Sequence, residues 1–189
     1  VSAKDMGSYT RPAKTGAVIV GSNVKKTTVQ LNELLKRSGL QGIEIDVERI
    51  GSQYDSLLTA TLEKIEYLHQ TNVTAVIYTS RSEKQFHSQI ERLQFGQLIS
   101  QFLMEIVKNL PSTLGFLISK GGITSNDVLS TGLALRVSRV LGQILPGCSV
   151  VRCPQRQPRF SQLPVVIFPG NVGNDEGLAQ VYDRLSRRA

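Results

Sequence analysis

Apolar positions along the chain fall into two patterns. Short unbroken runs at 16–20, 75–78, 115–118 and 165–168 predict strands covered on both faces. Residues 43–47, Ile-Glu-Ile-Asp-Val, alternate and predict a strand with one wetter face. Between these runs, apolar residues recur every three or four positions. Val29, Leu31, Leu34 and Leu35 mark a helix over about 26–37, ended by Gly39. Leu58, Leu62, Ile65 and Leu68 mark another over 56–70. The clearest helix spans 97–109, with Leu98, Phe102, Ile106 and Leu110 on one face and Pro111 as its stop. Residues 82–95 are mixed and polar, which predicts a short helix and a loop. Further helices are expected over 125–135 and around Leu178, Val181, Tyr182 and Leu185.

The rhythm changes late in the chain. Residues 137–145, 150–153 and 165–168 read as three strands with no helix between them, and Pro146-Gly147 is a turn signal. That run predicts antiparallel strands appended to the sheet. The expected fold is α/β: an open, mostly parallel sheet flanked by helices, with a short antiparallel strand region near the C-terminus. Residues 1–15 are polar, with Gly7 and Pro12, and are expected to be a tail or linker before one domain over 16–189.

Three glycine turns, after Val20, Ser119 and Phe168, each leave a strand and enter a helix. A fourth, after Tyr78, carries Thr79-Ser80-Arg81 instead. In open α/β sheets, ligands gather at the carboxyl ends of the strands. If the strands are parallel neighbours, these turns share one edge and form an amide-rich cradle suited to a polyphosphate. Thr124 and Ser125 are good N-cap types, and Asp127 stands at capping-box distance from Thr124. No Gly-x-x-x-x-Gly-Lys-Ser/Thr and no Gly-x-Gly-x-x-Gly occurs, which disfavours a P-loop NTPase and an ordinary dinucleotide fold.

Composition narrows the partners. Lysine and arginine exceed the acids by 22 − 15 = 7 in 189 residues, a balance that suits anionic partners. Much of the excess lies in 152–159 and 184–188, read as solvated surface and a frayed tail. Aromatic residues interleave with the basic ones only at Phe160, so nucleic acid is not an expected partner. No apolar run reaches membrane-spanning length and no leader-like segment opens the chain, so no membrane is expected and the cytoplasm is the expected compartment. Cys148 and Cys153 have no second pair to complete a metal site, and reduced, partly buried thiols are expected. His69 falls inside a predicted helix and His87 in a polar stretch, and both are expected to be structural or surface residues.

Four motifs then carry a resemblance. Gly21-Ser22-Asn23 with Thr27, Gln30 and Leu31 resembles the opening of the nucleotide-binding domain of four-carbon acid sugar kinases. Residues 120–125, Lys-Gly-Gly-Ile-Thr-Ser, resemble that family's Gly-Gly-acidic-Thr-Ser loop. Residues 143–147 resemble its strand-to-turn signature, and 168–173 its closing glycine loop. The motifs stand in the family's order and cover almost the whole chain, and the best match is the branch associated with hydroxyacid dehydrogenases.

The resemblance implies ATP and Mg²⁺ as cofactors and phosphorylation of sugar acids such as threonate or erythronate. It implies ATP contacts at Ser22, Gly121, Gly122, Ile123, Thr124, Gly170 and Gly173, with Lys120 and Ser125 as further phosphate contacts. Ile123 stands where the family usually has an acid, and Asp127 is the nearby acidic candidate. Phe168 stands where the closing loop usually has lysine, and Lys120 could supply that charge. The family's Asp-Asp-x-Thr-Gly-Ala opening is absent, so the chain resembles only the C-terminal half. An N-terminal sugar-acid-binding domain is the implied partner, with the catalytic base there, and a homodimer is left open. The lack of an initiating methionine points to a cut from a longer protein. Two rival readings stand beside this one: an anion-binding regulatory or interaction domain without catalysis, and a basic nucleic-acid binder.

Overall fold

The computed structural model describes residues 3–12, 15–81 and 88–186. Seven strands among these residues form one sheet: β1 (Ala17–Val20), β2 (Leu40–Ile45), β3 (Thr74–Thr79), β4 (Leu117–Lys120), β5 (Arg139–Leu145), β6 (Cys148–Arg152) and β7 (Pro164–Phe168). Their order is β2-β3-β1-β4-β7-β6-β5. The strands β2, β3, β1, β4 and β7 run parallel, while β6 and β5 are added antiparallel. The fold is the expected α/β sheet with an antiparallel C-terminal region.

Among the described residues, five α-helices accompany it: α1 (Lys25–Leu35), α2 (Val47–Gln70), α3 (Gln89–Lys108), α4 (Gly122–Asp127) and α5 (Gly177–Ser186). Alternation along β1 sorts them into two layers. Ala17 and Ile19 point into a core with Phe102, Leu103 and Ile65 of α3 and α2. Val18 and Val20 point into a second core with Leu31, Leu34, Leu178 and Val181 of α1 and α5. All four β1 residues are inaccessible to solvent, which is why the run is apolar without a break.

Several boundaries differ from the sequence expectation, each for a local reason. Val47 does not end a strand; Asp46 accepts from Glu48 N at 3.1 Å and starts α2 there. Gly51 and Ser52 blurred the apolar spacing of that first turn, and the helix has a non-helical residue, Gln53, just beyond them. Helix α3 begins at Gln89, two turns early, because Ser88 Oγ accepts from Glu91 N at 3.1 Å. Helix α4 is shorter than expected and gives way to a π-helical turn, Val128–Gly132. Residues 82–87 of the polar 82–95 stretch, His87 among them, lie outside the described residues, as do Arg187 and Arg188 of the basic tail. The N-terminal stretch contains a 3₁₀ helix, Ala3–Tyr9, and Tyr9 packs against the second core.

Both cysteines are free and buried, and burial pushes each thiol up to about 11. His69 bridges Thr15 and Thr113, each at 2.7 Å, and burial lowers its pKa. It is a structural histidine, as expected. Among the described residues, no helix is long and apolar enough to cross a membrane.

Phe102 lies at the centre of the first core, fully buried and edge-on to Tyr54 at 5.1 Å between centroids. Phe102→Ala should lower unfolding free energy by about 3–5 kcal/mol in urea titration, through lost burial and the cavity left behind. A loss under about 1 kcal/mol would mean that this core is not packed as described.

Candidate functional site

The site follows from the two-layer arrangement. Helix α1, after β1, lies with α5 on one face; α4, after the adjacent strand β4, touches α3 on the other. The chain therefore leaves two neighbouring parallel strands in opposite directions, and a crevice opens between their carboxyl ends. Gly21 and Gly121 stand at its two lips.

The fit is close. A side chain at Gly21 would lie 2.4 Å from Thr124 Oγ1 and 3.2 Å from Leu103. Gly121, at φ +120°, packs 3.1 Å (measured from an added Cβ) from Ser22 Cβ and takes a conformation that favours glycine. Neither α1 nor α4 has a side-chain cap: their N-caps are Val24 and Gly121. Uncapped helix starts present main-chain N–H groups toward the rim. The expected capping box is not formed. Thr124 and Ser125 lie inside α4 rather than before it, and Asp127 Oδ2 accepts from Ser100 Oγ of α3 at 2.5 Å. The glycine at 121, with its positive φ, moved the helix start upstream of both hydroxyl residues.

The closing loop after β7 joins the same rim. Gly121 N donates to Phe168 O at 2.8 Å, and a side chain at Gly170 would lie 3.6 Å from Ser22 Oγ. Thr27 Oγ1 reaches both Ser22 Oγ and Gly170 O, at 3.3 and 3.4 Å. Gln30 Nε2 holds the far part of the loop, on Val172 O and Asn174 O. Lys120 fastens the near part: its Nζ donates to Pro169 O at 2.7 Å and Gly170 O at 2.9 Å, and lies 4.3 Å from the centre of the Phe168 ring. Lys120 is fully buried, and desolvation lowers its pKa from 10.5 to about 8.

Of the nine sequence candidates, Ser22, Gly121, Gly122, Ile123 and Thr124 line one cleft of about 370 Å³, with Gly170 beside Ser22. The other three stand apart. Ser125 is buried and tied to Ser119 O at 3.1 Å; Lys120 is the buried clamp just described; Gly173 lies against Gln30 and Phe168, on the α1 side. Sequence reasoning missed the opposite wall, which comes from α3: Gly96, Ile99, Ser100, Leu103 and Met104. Two signals pointed there: the Ser88–Glu91 capping box and a glycine, Gly96, inside an amphipathic helix with open space where its side chain would be. The cleft is thus apolar along α3 and rich in main-chain donors along the turns. Its carboxylate is Asp127, and the described residues hold no group of three or more His, Cys, Asp or Glu that could bind a metal.

The buried Lys120 predicts a pH signature. Its folded pKa lies below the unfolded value, so between about 8 and 10.5 the unfolded chain binds the proton more tightly. Stability owed to this residue therefore rises with pH across that window. Relative to Lys120→Met, the wild-type chain should gain unfolding free energy between about pH 7.5 and 9.5. A difference independent of pH would mean that the ammonium is not buried.

The model of the nucleotide-binding C-terminal domain family matches residues 17–178. No curated protein matches the chain. Among solved structures, it is similar to a Bordetella bronchiseptica domain of unknown function (DUF1537), described with bound citrate as a domain-swapped dimer. That likeness has TM-score 0.70 and 17% identity, over 92% of this chain and 41% of that one. It is also similar to a Haemophilus influenzae protein of the DUF1537 family model, at TM-score 0.68 and 16% identity over 93% of this chain and 41% of that one. A third, from Salmonella typhimurium LT2, carries a provisional name as a tRNA synthase; it aligns at TM-score 0.64 and 19% identity over 91% and 41% of the two chains. This chain spans about two fifths of each, and at these identities the likeness is one of fold. The matched segment runs from β1 into α5 and takes in every turn of the rim, and the chain belongs to the nucleotide-binding C-terminal domain family, in line with its motif resemblance to four-carbon acid sugar kinases.

Proposed function

We propose that the chain is the ATP-binding part of a kinase that phosphorylates four-carbon sugar acids of the threonate or erythronate type. The observation that carries this reading is the meeting of the Gly21, Gly121 and Gly170 turns at the crevice between β1 and β4. In it, the triphosphate lies along Ser22, Gly121, Gly122 and Gly170, where the start of α4 faces it and the Gly121 N–H is held by Phe168 O. The base lies in the apolar half, between α3 and Ile123, which is 80% exposed at the mouth. Thr124 and Leu103 shape the floor.

The residues present fit a nucleotide. For Mg²⁺ they fit less fully: Asp127 is the cleft's carboxylate, and Mg²⁺ in such sites is usually held by one or two carboxylates and the phosphates themselves. Bound ATP would supply the phosphoryl group, and this chain's residues would position it and balance its charge. No side chain of the cleft is placed as a general base, since Asp127 is engaged with Ser100. The base and the sugar-acid pocket are assigned to an N-terminal partner domain, and the chain alone is expected to bind nucleotide weakly without turnover. The lack of a base is also what favours the second reading, an anion-binding regulatory domain without catalysis.

Calorimetry separates the two. The kinase reading expects ATP–Mg²⁺ to bind more tightly than inorganic phosphate; equal affinities would favour the anion-sensing domain. Gly96→Leu tests the base position. Leucine suits a helix better than glycine by about 1 kcal/mol, so the fold should hold or gain stability. The variant should weaken ATP by about tenfold while leaving tripolyphosphate unchanged, because roughly 1.4 kcal/mol of base contact is lost. Unchanged ATP affinity would remove the base from the α3 wall.

A further inference from the structure

Arg81 has no part in the cradle described above, yet it holds it from the side. It follows β3 at the carboxyl edge of the sheet, next to β1. Its Nη1 donates to the main-chain carbonyl of Ser22 and lies 3.5 Å from Asn23 Oδ1. Asn23 Oδ1 is itself held by Thr79 Oγ1 at 3.1 Å. One end of the guanidinium is thus fixed to the turn that follows β1.

The other edge differs. Nε and Nη2 are buried and have no hydrogen-bond partner among the described residues. Among the described residues no carboxylate forms an ion pair with Arg81. Glu44 acts on it through space, and the Tyr78 ring centre lies 5.9 Å from Cζ. Arg81 is half-buried; two unmet buried donors on a cation are destabilising, and guanidinium does not escape by losing its proton. Nε and Nη2 also form the edge of arginine that takes two oxygens of one phosphate or carboxylate side by side.

We propose that this edge of Arg81 is an anion-binding element of the rim, receiving two oxygens of an oxyanion that lies on the Ser22 turn. The anion is a phosphate group of the nucleotide or the carboxylate of an acid substrate. The inference deepens the nucleotide reading and rests on it for the ligand that brings the anion there. Arg81 also explains the fourth turn, in which Thr-Ser-Arg replaces glycine: it contributes a side-chain donor where the other three contribute main-chain ones.

The test compares wild type, Arg81→Lys and Arg81→Gln by calorimetry with ATP, tripolyphosphate and threonate, alongside ligand-free melting curves. Lysine keeps the charge and loses the two-pronged edge. Both variants should bind tripolyphosphate or threonate about tenfold or more weakly, and the ligand that suffers identifies the source of the anion. Their ligand-free melting temperatures should stay near the wild-type value, because both variants remove the two unmet donors along with the bond to Ser22 O. Arg81→Lys decides alone if Arg81→Gln fails to fold. Wild-type affinity of Arg81→Lys for all three ligands overturns the proposal, as does an affinity loss accompanied by a matching loss of ligand-free stability. Failure of wild type to bind ATP while it binds tripolyphosphate through Arg81 would overturn the nucleotide reading and leave this one standing. Failure of wild type to bind any of the three would overturn both.

Discussion

The missing side chain at position 21 is the constraint on which the site depends. With any Cβ there, Thr124 Oγ1 would be 2.4 Å away, and the turn after β1 could not lie against α4. That contact brings two helix starts to one crevice although their helices occupy opposite faces of the sheet. Parallel pairing alone would align the strand ends; the close approach converts alignment into a cleft. The positive φ of Gly121 serves the same end from the other lip.

A second device fixes the third turn. The loop after β7 forms no helix or strand before α5, and its main-chain carbonyls need donors from elsewhere. Lys120, Thr27 and Gln30 occupy those carbonyls with side-chain donors from β4 and α1. Engaging those carbonyls' negative ends reduces their repulsion of an anion at the rim. The burial of Lys120 is the other side of that device. Its ammonium is held by neutral acceptors and an aromatic face, so its charge is retained only against a desolvation penalty, and its pKa falls.

Much of the architecture was legible because burial and periodicity agree. Residues such as Ile19 and Val76 are buried, so their strands read as unbroken apolar runs. The helix faces at Leu31 and Leu34, or Leu178 and Val181, read from spacing alone. The three glycine turns were legible too, and their meeting followed from parallel order. What could not be read was which face each helix takes, since a sequence run does not say whether a chain turns left or right at a strand end. The α3 wall was hidden for that reason, and also because Gly96 and the polar residues around it break the apolar rhythm. Lys120 read as a phosphate contact because its partners, the carbonyls of Pro169 and Gly170, stand about fifty residues away. Arg81 was seen as part of a turn, but only the coordinates expose its unmet donors.

The central claim is that amides from separate turns surround one triphosphate. Nuclear magnetic resonance tests it most directly, through amide shifts as ATP–Mg²⁺ is titrated into the chain. The account predicts that the largest shifts fall on Gly21, Ser22, Gly121, Gly122 and Gly170 together, with one common saturation curve. Shifts that leave these five amides unmoved, or that gather instead around β5 and β6 at the far edge of the sheet, would contradict it.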